Sequence, residues 1–318
     1  MKSSSSNLPL VIVAGPTASG KTALGLALAA AFQGAIVNFD SMQLYRGFDL
    51  GTAKPTAEEQ RRAPHHLFSV VAPDQPMTAG AYARLARPLI RGLATAGRLA
   101  ILVGGTGFYL RALLEGLFPG PAADPELRAR LRRLAARWGA AGLHRILRRL
   151  DPESAARIAP ADTSKIVRAL ELRLLTGRSR GELWRQQSND PFPGFVPLAL
   201  GLNPARAELY RRIDERAAVM FSGGIQAETR ALLERYPASL WPFQAHGYKQ
   251  ACDLLLRAAD PALALAEAQQ EQRRYAKRQL TWFRHQADLH WLEGFGDDAA
   301  IQARAVAWVH ARLHAWPS

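Results

Sequence analysis

The chain has a single cysteine, Cys252, in 318 residues. No internal disulfide can form, and no ligand set for a structural zinc accompanies it, so Cys252 reads as a buried thiol. Long apolar runs are also missing. Nothing approaches the roughly 20 residues that span a bilayer, and the apolar stretch after Leu8 runs into a glycine loop without a small-residue cleavage pattern behind Lys2 and Ser3–Ser6. These absences exclude a disulfide scaffold and a membrane span, and a cytoplasmic, monomeric protein is expected. Acidic charge is scarce as well: 27 Asp and Glu stand against 41 Lys and Arg, a formal net charge of +14. Such a field attracts a polyanion, with nucleic acid as the first candidate.

A chain of this length that is 48% hydrophobic can bury one large core or two, and its texture favours two. Leu10–Ala14 reads as a buried strand, a glycine loop follows, and Lys21–Ala31 reads as a helix with Leu24 and Leu28 on one face. Ala35–Phe39, ending at Asp40, and Leu99–Val103, ending in Gly104 and Gly105, are further strand candidates. Short apolar strands between helical segments predict a parallel sheet with its working groups at the strand C-termini. After Pro119 the pattern becomes helical. Leu127–Leu150 holds Arg128, Arg130, Arg132, Arg133, Arg137, Arg145, Arg148 and Arg149 without one acidic residue, above Leu131, Leu134, Leu143 and Leu147. A solvated face is one reading of these arginines, and a module tracking nucleic-acid phosphates is the other. Asn189–Pro197 is rich in proline and reads as a connector. Helices resume at Ala205, with Leu209, Ile213 and Met220 as a buried stripe, and over Ala262–Gln286, with Ala276, Leu280 and Phe283 on an apolar line.

Residues 15–22 read GPTASGKT, the pattern GxxxxGK[ST] between a strand and a helix. Gly15, Pro16, Thr17, Ala18, Ser19 and Gly20 turn backbone N–H groups toward one point at the positive end of the helix, Lys21 adds a mobile charge, and Thr22 offers a hydroxyl to Mg²⁺. A diphosphate fits there. An ordinary ATPase places an acid at the end of a second apolar strand, yet ILVGG ends in glycines. Asp40 is the alternative, either on the metal side of an ATP-dependent small-molecule kinase or as a base on an acceptor. An RNA-binding module that uses nucleotide only as a switch is a third reading.

GPTASGKT at 15–22, NFDSMQLYRGFDLGTAKP at 38–55, PHHLF at 64–68 and VGGTGFYLRALLEGL at 103–117 together resemble the tRNA dimethylallyltransferase family. RALE at 168–171, LYRRIDER at 209–216, GYKQ at 247–250 and RRYAKRQLTWFR at 273–284 extend the resemblance over nearly the whole chain. It implies an α/β, P-loop NTPase-like parallel sheet formed by residues 1–118 and 198–318, with a helical insert at 119–197 contacting tRNA. It also implies transfer of a dimethylallyl group from dimethylallyl diphosphate, with Mg²⁺, to N6 of adenosine 37 in the tRNA anticodon stem-loop. By resemblance, Asp40 is the general base, Thr106 a pocket residue near the reacting groups, and Arg216 a partner of Lys21 on the diphosphate. Ser41, Met42 and Gln43 resemble the segment that meets the flipped adenine. The stretch Lys165, Ile166, Val167, Arg168, Ala169 and the stretch Gln244, Ala245, His246, Gly247, Tyr248, Lys249 resemble tRNA contacts, and Arg128 joins them as a candidate tRNA-binding residue from the arginine-rich segment. Three residues depart from the family pattern: Lys165 stands where Arg is usual, His246 where an aliphatic residue is usual, and Gln272 in place of Thr.

Overall fold

A computed structural model of the chain describes residues 7–117, 121, 124–185 and 192–315. Lys2, Ser3–Ser6, the expected boundary at Pro119 and the first residues of the expected connector, Asn189–Pro191, lie outside the described residues. Six strands, β1 (Leu8–Ala14), β2 (Ala35–Asn38), β3 (His65–His66), β4 (Ala100–Gly104), β5 (Phe195–Leu202) and β6 (His290–Leu292), form one sheet in the order β3-β2-β4-β1-β5-β6. Every pairing is parallel. A parallel sheet needs both faces covered, and the five residues Leu10–Ala14 of β1 are accordingly fully buried. The strand order reverses around β1, which lies between β4 and β5, so the crevice at the strand C-termini opens there.

The contacts divide the chain into two units, Met1–Leu114 with Phe192–Ser318, and Glu115–Pro191. The first unit carries the sheet and helices α1 (Lys21–Phe32), α2 (Ala57–Arg62), α3 (Ala79–Thr95) and α4 (Gly107–Leu114). The second consists of α5 (Pro125–Leu150), α6 (Pro152–Arg157), α7 (Thr163–Thr176) and α8 (Arg180–Arg185). The chain then returns to the first unit for α9 (Arg206–Ser222), α10 (Ile225–Leu233), a 3-10 turn at Trp241–Gln244, α11 (Tyr248–Arg257), α12 (Pro261–Gln286) and α13 (Ala299–His314). One apolar core packs β1, β2, β4, β5 and β6 against α1 and α13. Leu131, Leu143, Leu147, Ile166, Val167 and Leu170 form a separate core in the second unit.

The expected connector is in part a strand. β5 starts at Phe195 and its residues up to Gly201 pair with the whole of β1, so the insert ends earlier than residue 197. Pro197 is tolerated because β6 joins β5 only from Leu200 onward. At Pro197 the ladder has β1 as its one neighbour, and the position behaves as a sheet edge, where a missing N–H is harmless.

Candidate active site

β1 delivers its chain end into the glycine loop, and α1 begins at Lys21. Gly20, just before the helix, has φ 83°, and a Cβ there would lie 2.8 Å from the backbone nitrogens of Gly296 and Asp297. Only glycine meets both demands. The loop is braced from within: the Ser19 hydroxyl donates to the Pro16 carbonyl at 2.8 Å, and the Lys21 ammonium donates to the same oxygen at 2.6 Å. Burial lowers the Lys21 pKa to about 8, with Asp40 opposing the shift and Arg216 adding to it.

At the end of β2, the fully buried Asn38 fixes the chain on both sides. Its side-chain amide donates to the carbonyls of Asp40 and Leu67, its side-chain oxygen accepts from the Asp40 amide at 2.8 Å, and Tyr82 donates to its carbonyl. This aims Asp40 at the crevice, with one carboxylate oxygen accepting from the Met42 amide at 2.9 Å. The neighbouring Ser41 amide donates to the Thr106 hydroxyl at 3.0 Å, so the ends of β2 and β4 are tied together. The two glycines that close β4 have a packing reason. A Cβ on Gly104 would meet Phe39 at 2.7 Å, and one on Gly105 would meet Gln279 at 2.1 Å.

Two helices from the far end of the sequence complete the site. From α9, Arg216 donates to the Thr17 hydroxyl and to Gln272 of α12, while its Nε is buried without a hydrogen-bond partner. Burial lowers the Arg216 pKa to about 10, and Asp40 opposes that shift. From α12, Gln279 accepts from the Thr17 amide at 2.8 Å and donates to the Gly105 carbonyl at 2.9 Å. The Tyr275 hydroxyl lies near Thr106 and Gln279, and burial together with the nearby Asp40 charge pushes its pKa upward. Residues 17–22, Asp40, Gln43, Arg216 and Gln279 thus border one cavity of about 370 Å³. Gln272, Tyr275 and Gln279 of α12 carried no assigned role in the sequence reading. Their signal was available: Gln272 and Gln279 are polar residues at helical spacing that end up buried beside the apolar line of α12.

The segments expected to meet tRNA divide by exposure. Ser41, Met42, Gln43 and Thr106 are half-buried at the crevice, and the Gln43 amide nitrogen is engaged by the carbonyls of Thr52 and Ala53. Gln244 is exposed, and Ala245, His246 and Lys249 are half-buried. Gly247 and Tyr248 are buried; the Tyr248 hydroxyl donates to Glu228 and accepts from the Gly51 amide. His246 bonds Glu271 of α12 at 2.9 Å. In the second unit Lys165 is exposed, whereas Ile166, Val167 and Ala169 are buried in the local core, so their side chains are structural. Arg128 and Arg168 both hold the buried Glu171 carboxylate, at 2.9 and 2.6 Å. Burial works to raise the Glu171 pKa, but the two arginines and the Asp124 amide outweigh it and hold it below the usual value. Arg130, Arg132, Arg133, Arg137, Arg145, Arg148 and Arg149 of α5 are exposed. Cys252 is buried, as expected, and burial pushes its thiol up to about 11.

A family model described as IPP transferase matches residues 43–286. The chain is similar to a tRNA dimethylallyltransferase of Koribacter versatilis, with 52% identity over 297 residues covering 93% of this chain and 96% of the relative. Its similarity to the Solibacter usitatus tRNA dimethylallyltransferase is 50% identity over 300 residues, covering 94% and 97%. Among solved structures it is similar to the full-length tRNA isopentenylpyrophosphate transferase of Bacillus halodurans, with a TM-score of 0.71, 35% identity and 97% of each chain covered.

Proposed function

The chain belongs to the IPP transferase family, and on that premise we propose that its cavity holds dimethylallyl diphosphate and presents the allylic carbon to N6 of adenosine 37 in tRNA. Transfer of a dimethylallyl group to tRNA is the family's reaction, and it displaces the kinase and nucleotide-switch readings. The observation that carries the finer reading is the convergence of Lys21, Asp40 and Arg216 on one cavity, a carboxylate facing two cations beside a glycine loop.

The diphosphate lies against the loop N–H groups and the positive end of α1, with Lys21 and Arg216 beside it. The unpartnered Nε of Arg216 suits an anion, since a buried donor without a partner costs roughly 1–3 kcal/mol until one arrives. In the reaction the N6–C bond forms as the C–O bond to diphosphate breaks, and the N6 proton passes to Asp40. Negative charge grows on the leaving diphosphate, where the two cations bind it more tightly than in the ground state. Thr106 holds the Ser41 side of the crevice in place, which orients the incoming adenine. The adenine must leave its stack to enter, at a cost of a few kcal/mol.

The donor atoms fit Mg²⁺. Thr22 and Asp40 border the cavity with hard oxygens, while no group of three or more His, Cys, Asp or Glu that could hold a metal occurs among the described residues. That set suits an ion held mainly by substrate oxygens and water. Bound there by Thr22, Mg²⁺ supplies neutralisation of charge on the leaving group. Exposed arginines of α5, Lys165 and the segment 244–249 meet the tRNA backbone. No helix among the described residues is long and apolar enough to cross a membrane.

Incubation with radiolabelled dimethylallyl diphosphate, Mg²⁺ and unmodified tRNA, followed by nuclease mapping, tests the whole reading. Label should appear on adenosine 37. ATP hydrolysis without transfer to tRNA would overturn the donor assignment.

A further inference from the structure

Arg216 accounts for only one of the cations that α9 presents to the cavity. Arg212 lies one helical turn earlier and borders the same cavity, as does Asp297 from the turn after β6. This turn is seated on the phosphate loop: the Gly296 amide donates to the Ser19 carbonyl at 2.9 Å. It brings the Asp297 carboxylate so close that a Cβ on Gly20 would lie 2.9 Å from its Oδ1. An acidic side chain therefore stands beside a loop built to attract a phosphate. One guanidinium nitrogen of Arg212 holds both carboxylate oxygens, at 2.9 and 2.7 Å, and the guanidinium lies 3.7 Å from the centre of the Phe295 ring.

We propose that Arg212 is a second diphosphate-binding arginine, held on Asp297 and Phe295 until the diphosphate takes it over, and that Asp297 competes with the diphosphate for it. The assignment rests on the diphosphate reading of the cavity. Three features argue for exchange over a fixed latch. Both side chains are partly exposed, Arg212 by 33% and Asp297 by 47%, and ion pairs in contact with water hold weakly. A diphosphate carries more charge than a carboxylate and gives the planar guanidinium a closer match. The Phe295 ring keeps the guanidinium in place while its hydrogen bonds change partner, because the ring contact does not use the N–H donors. Glu208, the other acid near Arg212, is taken mainly by Arg211, at 2.5 Å against 3.5 Å from Arg212.

The decisive feature is a sign. If Asp297 only steadies the phosphate loop, its neutralisation loosens the loop and weakens diphosphate. If it competes, neutralisation removes a like charge and releases Arg212, and diphosphate binds more tightly.

Calorimetric titration of inorganic diphosphate into the full chain, with Arg212→Gln, Arg212→Lys, Asp297→Asn and the double variant R212Q/D297N, reads this out. Thermal midpoints would accompany each titration to confirm folding. Arg212→Gln should weaken binding about 10-fold, the scale of one charge-assisted contact, and Arg212→Lys by less. Asp297→Asn should tighten it about 3- to 10-fold, and most of that gain should vanish in the double variant. Unchanged affinity in Arg212→Gln, or weaker binding in Asp297→Asn, would overturn the assignment while the diphosphate reading stands. Failure of the wild-type chain to bind diphosphate would overturn both.

Discussion

Gln279 accepts a hydrogen bond from the Thr17 amide at 2.8 Å, so α12 grips the phosphate loop across 262 residues of sequence. The same side chain donates to the Gly105 carbonyl. Gln279→Leu should strand both buried groups, each at roughly 1–3 kcal/mol, and loosen the loop. Urea unfolding should show a lower midpoint, and diphosphate affinity should fall alongside it. Gln279→Glu keeps the acceptor and should fall between the two. A Leu variant with wild-type stability and affinity would remove this contact from the account.

Asp40→Asn keeps the size of the side chain and one acceptor oxygen for the Met42 amide, but loses its basicity. Single-turnover transfer at saturating tRNA and donor should slow by about 10² to 10⁴-fold, the usual scale of general-base assistance. Separate titrations of donor and tRNA should change little. An Asp40→Asn enzyme that transfers at the wild-type rate would end the general-base assignment, and parallel loss of Mg²⁺-dependent diphosphate binding would reassign Asp40 to the metal.

Lys21 ties pH to two properties with opposite signs. Its pKa in the folded chain is about 8 against 10.5 for the free side chain, so between these values the folded state binds fewer protons than the unfolded chain. Stability from this group therefore rises with pH across that window, because the cost of the buried charge disappears on deprotonation. Diphosphate affinity moves the other way, falling by up to about tenfold per pH unit above 8 as the ammonium is lost. Calorimetry from pH 7 to 9.5 checks this. Lys21→Arg should flatten the profile because arginine stays charged, and an equally steep profile in that variant would place the titration elsewhere.

The arginines of α5 should separate into two classes. Arg132→Ala and Arg133→Ala remove exposed charges and should lower the salt dependence of tRNA binding by up to ~0.9 in log–log slope per lost phosphate contact. Folding of the second unit should be unaffected. Arg128→Ala removes one of the two arginine partners of the buried Glu171 carboxylate and should destabilise the unit by roughly 1–3 kcal/mol. Thermal melts and filter-binding across a salt series measure both. If Arg132→Ala and Arg133→Ala leave the salt slope unchanged, their charge belongs to a solvated face.

The phosphate loop, α1 and Asp40 were legible because their cause is local: a glycine spacing between a strand and a helix, and an acid at a strand end. β3 and β6 were not, since runs of two and three residues carry no periodicity. Pro197 hid β5 by imitating a connector, and only the late arrival of β6 beside it explains why proline is allowed there. The motif at 165–169 marked a region but not a direction, and Ile166, Val167 and Ala169 turned into the core. For α12 the helix was plain, yet which face would hold Thr17, Gly105 and Arg216 depends on contacts between residues far apart in sequence, and no local pattern encodes those.

The position of β5 in the sheet has a consequence for the nascent chain. β1 gains β4 on one side once residue 104 is made, but its other edge stays open until β5 has left the ribosome, after the entire second unit has been translated. At roughly 5–20 residues per second the wait from residue 14 to residue 195 is on the order of ten to forty seconds. Throughout it Leu10–Ala14, a run of apolar residues that end fully buried, offers an unpaired edge to other chains. The insert, with a core of its own, is complete during that interval. Chains released early, before Phe195, should therefore carry a folded basic module on an aggregating half-sheet, and chaperone demand should peak while the insert is being made.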